Sequence, residues 1–378
     1  MAQIRTSARR TGRAVTAPFR ALRQRWRGWS WWRRALLALG LAAAVPLAAL
    51  GSAFVTFRLH YTGEPAAEAR TRGRDAVWLG HAWVDGRKTD ADVAALARQL
   101  AGTGVRDLYV HTGPLEHDGS LPASVHPRAR WFTEAAHRAL PGVRVQGWLG
   151  DEVKPEKDAL DLDDAPTRDR ITASARQVLD QGFDGVHFDM EPIHPGTAGW
   201  LALLDEVRPV TAARGATLSV AAPQIDPVPG LHTAGILLTD HGKWWDQTYF
   251  RETARRVDQI AVMAYDTSMP TEPLFGGYVA QQTELALRAT PPQVDLLIGL
   301  PFFREDKWGH WGDAETVPAA VRGVRLGLGR QDLGRANFGV ALYVDFAATP
   351  ENWAAYRRGW VDPGQPVQAA MRWARAPR

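Results

Sequence analysis

Residues 182–192 read Gly-Phe-Asp-Gly-Val-His-Phe-Asp-Met-Glu-Pro, and the fold turns on how Gly185–Glu191 is read. Seven residues opened by glycine and closed by proline have the length of one β-strand, whose successive side chains point to opposite faces. Val186, Phe188 and Met190 then share one face, and His187, Asp189 and Glu191 the other. An apolar set that packs under helices leaves the three ionisable residues facing inward. Such groups are costly to bury unless they are paired or working. The plainer reading of the trio is a hydrogen-bonded cluster that fixes strand register.

Outward from this strand, short apolar runs alternate with helical patterns that end in glycine, the grammar of βα units around a parallel sheet. Eight strands can be counted: Ala76–Trp83, Arg106–Thr112, Arg144–Leu149, Gly185–Glu191, Thr217–Pro223, Gln259–Asp266, Asp295–Pro301 and Gly339–Phe346. Thr89-Asp-Ala-Asp92 looks like a capping box before Val93, Leu96 and Leu100. Thr349-Pro350-Glu351 reads as a helix start before Trp353, Tyr356 and Trp360. Eight such units in about 300 residues match a single (β/α)8 TIM barrel, an α/β fold whose functional residues sit at the C-terminal strand ends. The alternative is a doubly wound open sheet, but no glycine-rich phosphate loop follows the first strand. Tyr265 and Asp266, Tyr343 and Asp345, and Trp148 all fall at C-terminal strand ends.

The 378 residues contain no cysteine, which excludes disulfides, thiolate metal sites and cysteine nucleophiles. Residues 1–34 hold ten arginines and no acid, so the formal charge of +4 leaves 4 − 10 = −6 for the rest. No nucleic-acid-binding face is indicated for the main body. Residues 35–57, ALLALGLAAAVPLAALGSAFVTF, carry no charge and are long enough for a transmembrane helix, with Trp29, Trp31 and Trp32 at the expected interface. The expected organisation is a basic cytoplasmic segment (1–34), a membrane anchor (35–57), a short stalk (58–74) and an extracytoplasmic barrel domain (75–378). A cleaved secretory signal, with Gly51-Ser-Ala53 at the cleavage site, is the alternative reading.

Asp184-Gly-Val-His-Phe-Asp-Met-Glu191 resembles the fourth-strand signature of glycoside hydrolase family 18, the chitinases and their relatives, whose pattern is Asp-Gly-x-Asp-x-Asp-x-Glu. Val262-Met-Ala-Tyr-Asp266 is similar to the family's sixth-strand motif, and Gly299-Leu-Pro-Phe302 to its seventh-strand segment. Two positions depart from the pattern: His187 stands in place of the middle aspartate, and Tyr343 in place of the tryptophan that floors the sugar site. The resemblance implies an enzyme that cleaves an N-acetylhexosamine-containing polysaccharide or oligosaccharide without cofactor or metal. It implies Glu191 as general acid, Asp189 as the group that orients the substrate's acetamide and stabilises the oxazolinium, and Tyr265 as hydrogen-bond partner of the acetamide carbonyl. Asp184, His187, Asp266, Met263, Tyr343 and Trp148 are expected to bind substrate or support these groups, with His187 as a partner for Asp189.

Trp244, Trp245, Trp308 and Trp311 are candidates for sugar stacking or for loop packing. His81, His241 and His310 show no metal-ligand spacing. A glycan-binding barrel without catalysis, a hydrolase acting on a sugar without an N-acetyl group and a structural envelope protein are the competing functions.

Overall fold

The computed structural model describes residues 30–233, 236, 242–307 and 309–364. The basic residues up to 29, Trp29 among them, His241, Trp308 and the C-terminal residues from 365 lie outside the described residues. The chain divides into two compact units, residues 1–56 and 57–378.

Helix α1 (Trp31–His60) is a continuous 30-residue helix. Leu36, Leu37, Leu39, Leu47, Leu50, Phe54 and Val55 on it are exposed. The side chains at 34, 41–43, 45 and 46 are outside the described set, and among the described residues no helix is long and apolar enough to cross a membrane. The expected transmembrane helix over 35–57 is therefore not met by the described residues.

The second unit is a closed parallel barrel. Its strands are β1 (Asp75–Leu79), β2 (Val105–Pro114), β3 (Arg144–Glu152), β4 (Gly185–Glu191), β5 (Thr217–Ala222), β6 (Gln259–Val262), β7 (Asp295–Pro301) and β8 (Phe338–Tyr343). Each pairs with its neighbour in chain order, and β8 closes on β1. Closure in sequential order rules out the doubly wound sheet. The intervening helices are α2 (Asp90–Leu100), α3 (Ala129–Ala139), α4 (Ala165–Asp180), α5 (Ala198–Ala212), α6 (Gln247–Ala254), α7 (Glu272–Ala289), α8 (Val317–Gln331) and α9 (Pro350–Tyr356). Both expected helix starts carry capping boxes, Thr89 with Asp92 and Thr349 with Asn352. A ribbon of Gln224–Ile225 and Trp244–Trp245 is inserted between β5 and α6.

Three strands end three or more residues earlier than the sequence suggests. After β1 the chain turns at Gly80 into a 3₁₀ turn, His81–Trp83, because Asp345 accepts hydrogen bonds from the Gly80 amide (2.8 Å) and the Trp83 indole (2.7 Å). After β6 the left-handed residues Asp266 (φ 54°) and Ser268 (φ 60°) turn the chain away. After β8 a 3₁₀ turn at Asp345–Ala347 leaves Phe346 exposed.

Barrel parity decides what lies where. Val186, Phe188 and Met190 join the large apolar layer between strands and helices, while Trp78, Tyr109, Ala221, Leu297 and Ala341 fill the interior. The N-terminal end of the interior is polar and closed. Asp107 accepts from Arg144 (2.7 Å), Gln146 (2.9 Å) and Gln259 (3.0 Å), and Tyr109 donates to Gln259 (2.8 Å). Burial opposes the Asp107 charge, but the Arg144 guanidinium outweighs it and holds the carboxyl below its ordinary range.

The segment expected as a stalk is packed on the barrel. Phe57 sits edge-on to Tyr278 with ring centroids 5.3 Å apart, and Ala69 is fully buried. Gly276 and Gly277 of α7 permit the approach, since a Cβ on either would collide with the Tyr61 ring or the Phe57 carbonyl. Arg325 and Arg330 donate to the carbonyls of Ala69 (2.7 Å), His60 (2.7 Å) and Thr62 (2.6 Å). Every one of these carbonyls would otherwise need water.

Candidate active site

A cleft of about 670 Å³ opens at the C-terminal strand ends, lined by Asp189 and Glu191 of β4, Glu152 of β3, Met263, Tyr265 and Asp266 after β6, and Tyr343 of β8. Barrel strands deliver their last inward side chains here, so residues far apart in sequence converge at one mouth. Asp189 lies one pleat below Glu191 on the same face. The register pairs Gly150 with Asp189 and Glu152 with Glu191 across β3 and β4.

Burial pushes the Asp189 carboxyl up from its ordinary range, and the nearby Trp148 indole opposes this. Trp148 acts at a distance rather than through a formed bond: its Nε1 and Asp189 Oδ1 are both buried without a hydrogen-bond partner. Glu191 is raised further, by the surrounding protein first and then by the charges of Asp189 and Asp266. Its surface remains open to the cleft, so the upward direction rests on the neighbouring carboxylates as much as on burial. Two acids in one cleft, the outer the weaker, are arranged to hold a proton at Glu191 near neutral pH.

Tyr265 is buried and stacks on Tyr343, with centroids 5.2 Å apart and planes 19° from parallel. Gly299 of β7 makes that position available. A Cβ there would come 2.8 Å from the Tyr265 ring and 2.9 Å from the Val262 carbonyl. The glycine of the seventh-strand segment therefore has a steric cause. Gln224 donates to the Tyr265 carbonyl (2.7 Å) and ties the inserted ribbon to the cleft.

His187 is corrected. It is fully buried inside the barrel, where its ring stacks on Tyr109 at 3.8 Å and 8°. The Trp78 indole donates to Nε2 (3.2 Å), and Nδ1 lies 2.8 Å from Ser219 Oγ. An indole N–H can only donate, so Nε2 is unprotonated and the ring is a neutral Nδ1–H tautomer bonded to Ser219. Burial lowers its pKa to about 3. Its hydrogen-bond partners are Trp78 and Ser219 and not Asp189, and it does not line the cleft.

Asp184 is corrected as a substrate contact, though not as a support for its strand. It precedes β4 at the opposite end of the barrel, where it accepts from the Val145 amide (2.8 Å) and meets His137 (2.7 Å). That ties β3 and α3 together and places it far from the mouth. Trp245 is core, 1 % exposed and bonded to the Ile193 carbonyl (2.7 Å). Trp244 donates to Tyr278 (2.8 Å), while Trp311 is 53 % exposed.

The sequence reading overlooked Lys243, Lys307 and Glu156, which also line the cleft. Lys243 follows Gly242 in the ribbon beside the tryptophan pair that drew attention, and burial lowers its pKa against the pull of Glu315 and Asp266. Among the described residues one group has ligand types that could gather a metal, namely Asp266, His310 and Glu315. His310 Nδ1 lies 2.8 Å from Asp266 Oδ1 and 3.3 Å from Glu315 Oε2, with the Lys307 ammonium 3.5 Å from the other Asp266 oxygen. Those are ion-pair distances with two cations already in place.

No protein-family model and no curated protein matches the sequence. The architecture defines the class first: a (β/α)8 barrel with an acidic cleft at its C-terminal mouth. Solved structures of the same fold include the spore cortex-lytic enzyme SleL of Bacillus megaterium (14 % identity, 77 % of this chain and 75 % of that one, TM-score 0.53). They include a chitinase from Chromobacterium violaceum (14 % identity, 77 % and 99 % covered, TM-score 0.52). They also include the GH18 chitinase ChiB of Flavobacterium johnsoniae (13 % identity, 76 % and 94 % covered, TM-score 0.50). At such identities the likeness is one of fold.

Proposed function

We propose that the chain is a glycoside hydrolase acting on an N-acetylhexosamine-containing glycan by substrate-assisted, retaining catalysis. The observation that carries this reading is the carboxyl pair: Asp189 and Glu191, adjacent on one inward strand face at the cleft, both with raised proton affinity and Glu191 the higher. The structural neighbours named as chitinases and a cortex-lytic enzyme agree with it.

In this mechanism Glu191 gives its proton to the glycosidic oxygen as the bond to the anomeric carbon breaks. The 2-acetamido oxygen forms a new bond to that carbon, and Asp189 stabilises the positive oxazolinium. Water then attacks the anomeric carbon as its bond to the acetamido oxygen breaks and the acetamide is regenerated, while the Glu191 carboxylate takes the water's proton, which restores the acid. Tyr265 holds the acetamide carbonyl, and Met263, Asp266, Tyr343 and Trp148 shape the subsite. A glycan-binding barrel without catalysis would follow if His187, in place of the motif aspartate, disabled the acid pair. The ring is neutral and engaged with Trp78 and Ser219, which leaves Asp189 free to act.

We also infer a membrane-attached placement, with residues 1–34 cytoplasmic, 35–57 as anchor and the barrel outside. Ten arginines before an uncharged run and the exposed leucines of α1 support it.

Hydrolysis of N-acetylglucosamine oligosaccharides, followed by NMR of the newly released anomer, tests the reaction. Release with retained configuration is expected. Inverted product, or cleavage only of sugars lacking the acetamide, would defeat the substrate-assisted mechanism.

A further inference from the structure

The loops that follow β6 and β7 are joined at one buried point. Glu315, two residues before α8, is 1 % exposed and accepts from the Thr267 amide (2.9 Å), the Thr267 hydroxyl (3.1 Å) and the Ser268 amide (3.1 Å). It thereby clamps the turn in which Asp266 and Ser268 are left-handed. Non-glycine residues adopt that backbone only when their surroundings over-determine it. On the other side the Ser268 amide donates to the Gly309 carbonyl (2.8 Å), and Lys307 and His310 exchange backbone bonds.

His310 fills the gap between the two carboxylates. It too is 1 % exposed, packs at 4.5 Å from the Phe303 ring, and reaches Asp266 Oδ1 at 2.8 Å and Glu315 Oε2 at 3.3 Å through the same nitrogen. One N–H cannot point squarely at both oxygens, and the contacts are ion pairs rather than well-directed hydrogen bonds. Two ionised carboxylates on one buried nitrogen need a cation between them.

We propose that His310 is a positioning residue, whose imidazolium holds Glu315 and Asp266 together and so fixes the Asp266–Ser268 turn that sets Tyr265 and Asp266 against Glu191. It touches no reacting atom and acts through Asp266. This rests on the hydrolase reading for its consequence in catalysis, though not for the contact itself. The charges that face the imidazole are Asp266 from the loop after β6, Glu315 and Lys307 from the loop after β7, and Lys243 from the ribbon, which interacts with both carboxylates. Burial disfavours the charged ring, but Asp266 and Glu315 outweigh it and raise its pKa to about 9.

Two variants of the full chain test this, His310→Ala and His310→Asn, the second keeping a donor near the Nδ1 position without the charge. For His310→Ala, kcat/KM on an N-acetylglucosamine oligosaccharide should fall roughly 10- to 100-fold, the order that displacing a cleft group by about an ångström costs. The alkaline limb of its pH profile should move to higher pH, because the Asp266 carboxylate, left without its imidazolium, opposes the Glu191 charge more strongly. His310→Asn should recover part of the rate and none of the limb shift. A residue that only fills space would lose rate in step with melting temperature and leave the limb in place, and that result overturns the proposal.

A readout independent of turnover separates this from failure of the hydrolase reading. The His310 ring, assigned in NMR spectra by its loss in the Asn variant, should titrate near 9 in the wild type and move toward the ordinary histidine value in Glu315→Gln. A wild-type chain that cleaves nothing would defeat the hydrolase reading alone. Ordinary titration of His310 in the wild type would defeat the positioning role whatever the chain cleaves.

Discussion

Replacing His187 by phenylalanine separates barrel stability from chemistry. The new ring can keep the stack on Tyr109, but it leaves the Trp78 indole N–H without an acceptor, at a cost of about 1–3 kcal/mol for one buried donor. Ser219 loses only a donor to a rotatable hydroxyl, so about 2 kcal/mol is expected at pH 7 out of the roughly 5–15 kcal/mol typical of a domain. The wild-type ring is held neutral, with a pKa of about 3, against about 6.5 in an unfolded chain. The unfolded chain therefore binds more protons between those values, and the contribution of His187 is lost as pH falls through that window. At pH 5 the wild type should have lost about 1.5 × 1.36, or roughly 2 kcal/mol, from this residue alone, and the phenylalanine variant none. Urea denaturation of both proteins at pH 7 and pH 5 should show a gap that closes on acidification, with turnover of the folded variant at pH 7 close to wild type. Parallel stability curves, or a stable variant whose turnover collapses, would refute the assignment of His187 as a neutral core residue.

Further outcomes follow from the same geometry. Trp245→Ala should cost about 3–5 kcal/mol as a large core truncation, whereas exposed Trp311→Ala should leave denaturation within about 0.5 kcal/mol of wild type and show itself, if at all, in KM. A chain beginning at Asp75 loses the buried Phe57 and Ala69, and should be less stable than one beginning at Phe57 by at least the roughly 1.5–3 kcal/mol of one buried phenylalanine; equal melting curves would mean the docked segment contributes nothing. Activity should decline on the alkaline side as Glu191 loses its proton, with a limb lying above the ordinary glutamate range because the surrounding protein, Asp189 and Asp266 all disfavour the carboxylate; a limb near pH 4.5 would show that these groups do not raise the proton affinity of Glu191.

The barrel was legible because its signal is periodic and local. Gly185–Glu191 and Asp295–Pro301 coincide with observed strands residue for residue, and the parity of β4 separates the outer apolar layer from the barrel interior as expected. His187 was misread because its partners lie 109 and 32 residues away, on β1 and β5. Parity puts a residue inside a barrel but does not say how far below the mouth it stops. Asp184 shows the same limit from the other side: it belongs to the motif in sequence, yet sits at the far end of the strand from the chemistry. Lys243 and the His310–Glu315 pair come from irregular loops, where side-chain direction follows from turns such as Asp266–Ser268 that no periodicity reveals. The segment from Arg58 to Arg74 looked like a polar stalk because its anchoring is mostly backbone carbonyls meeting arginines of α8. Sequence composition records the arginines but not what they hold.

In the proposed mechanism everything turns on Glu191 supplying the proton. Glu191→Gln keeps the shape of the side chain at the cleft and removes only the acid. Turnover of an N-acetylglucosamine oligosaccharide should fall by roughly 10²–10⁴-fold, the usual worth of a positioned general acid, while melting temperature and oligosaccharide binding stay near wild type. Near-normal turnover in a folded Glu191→Gln protein would contradict it.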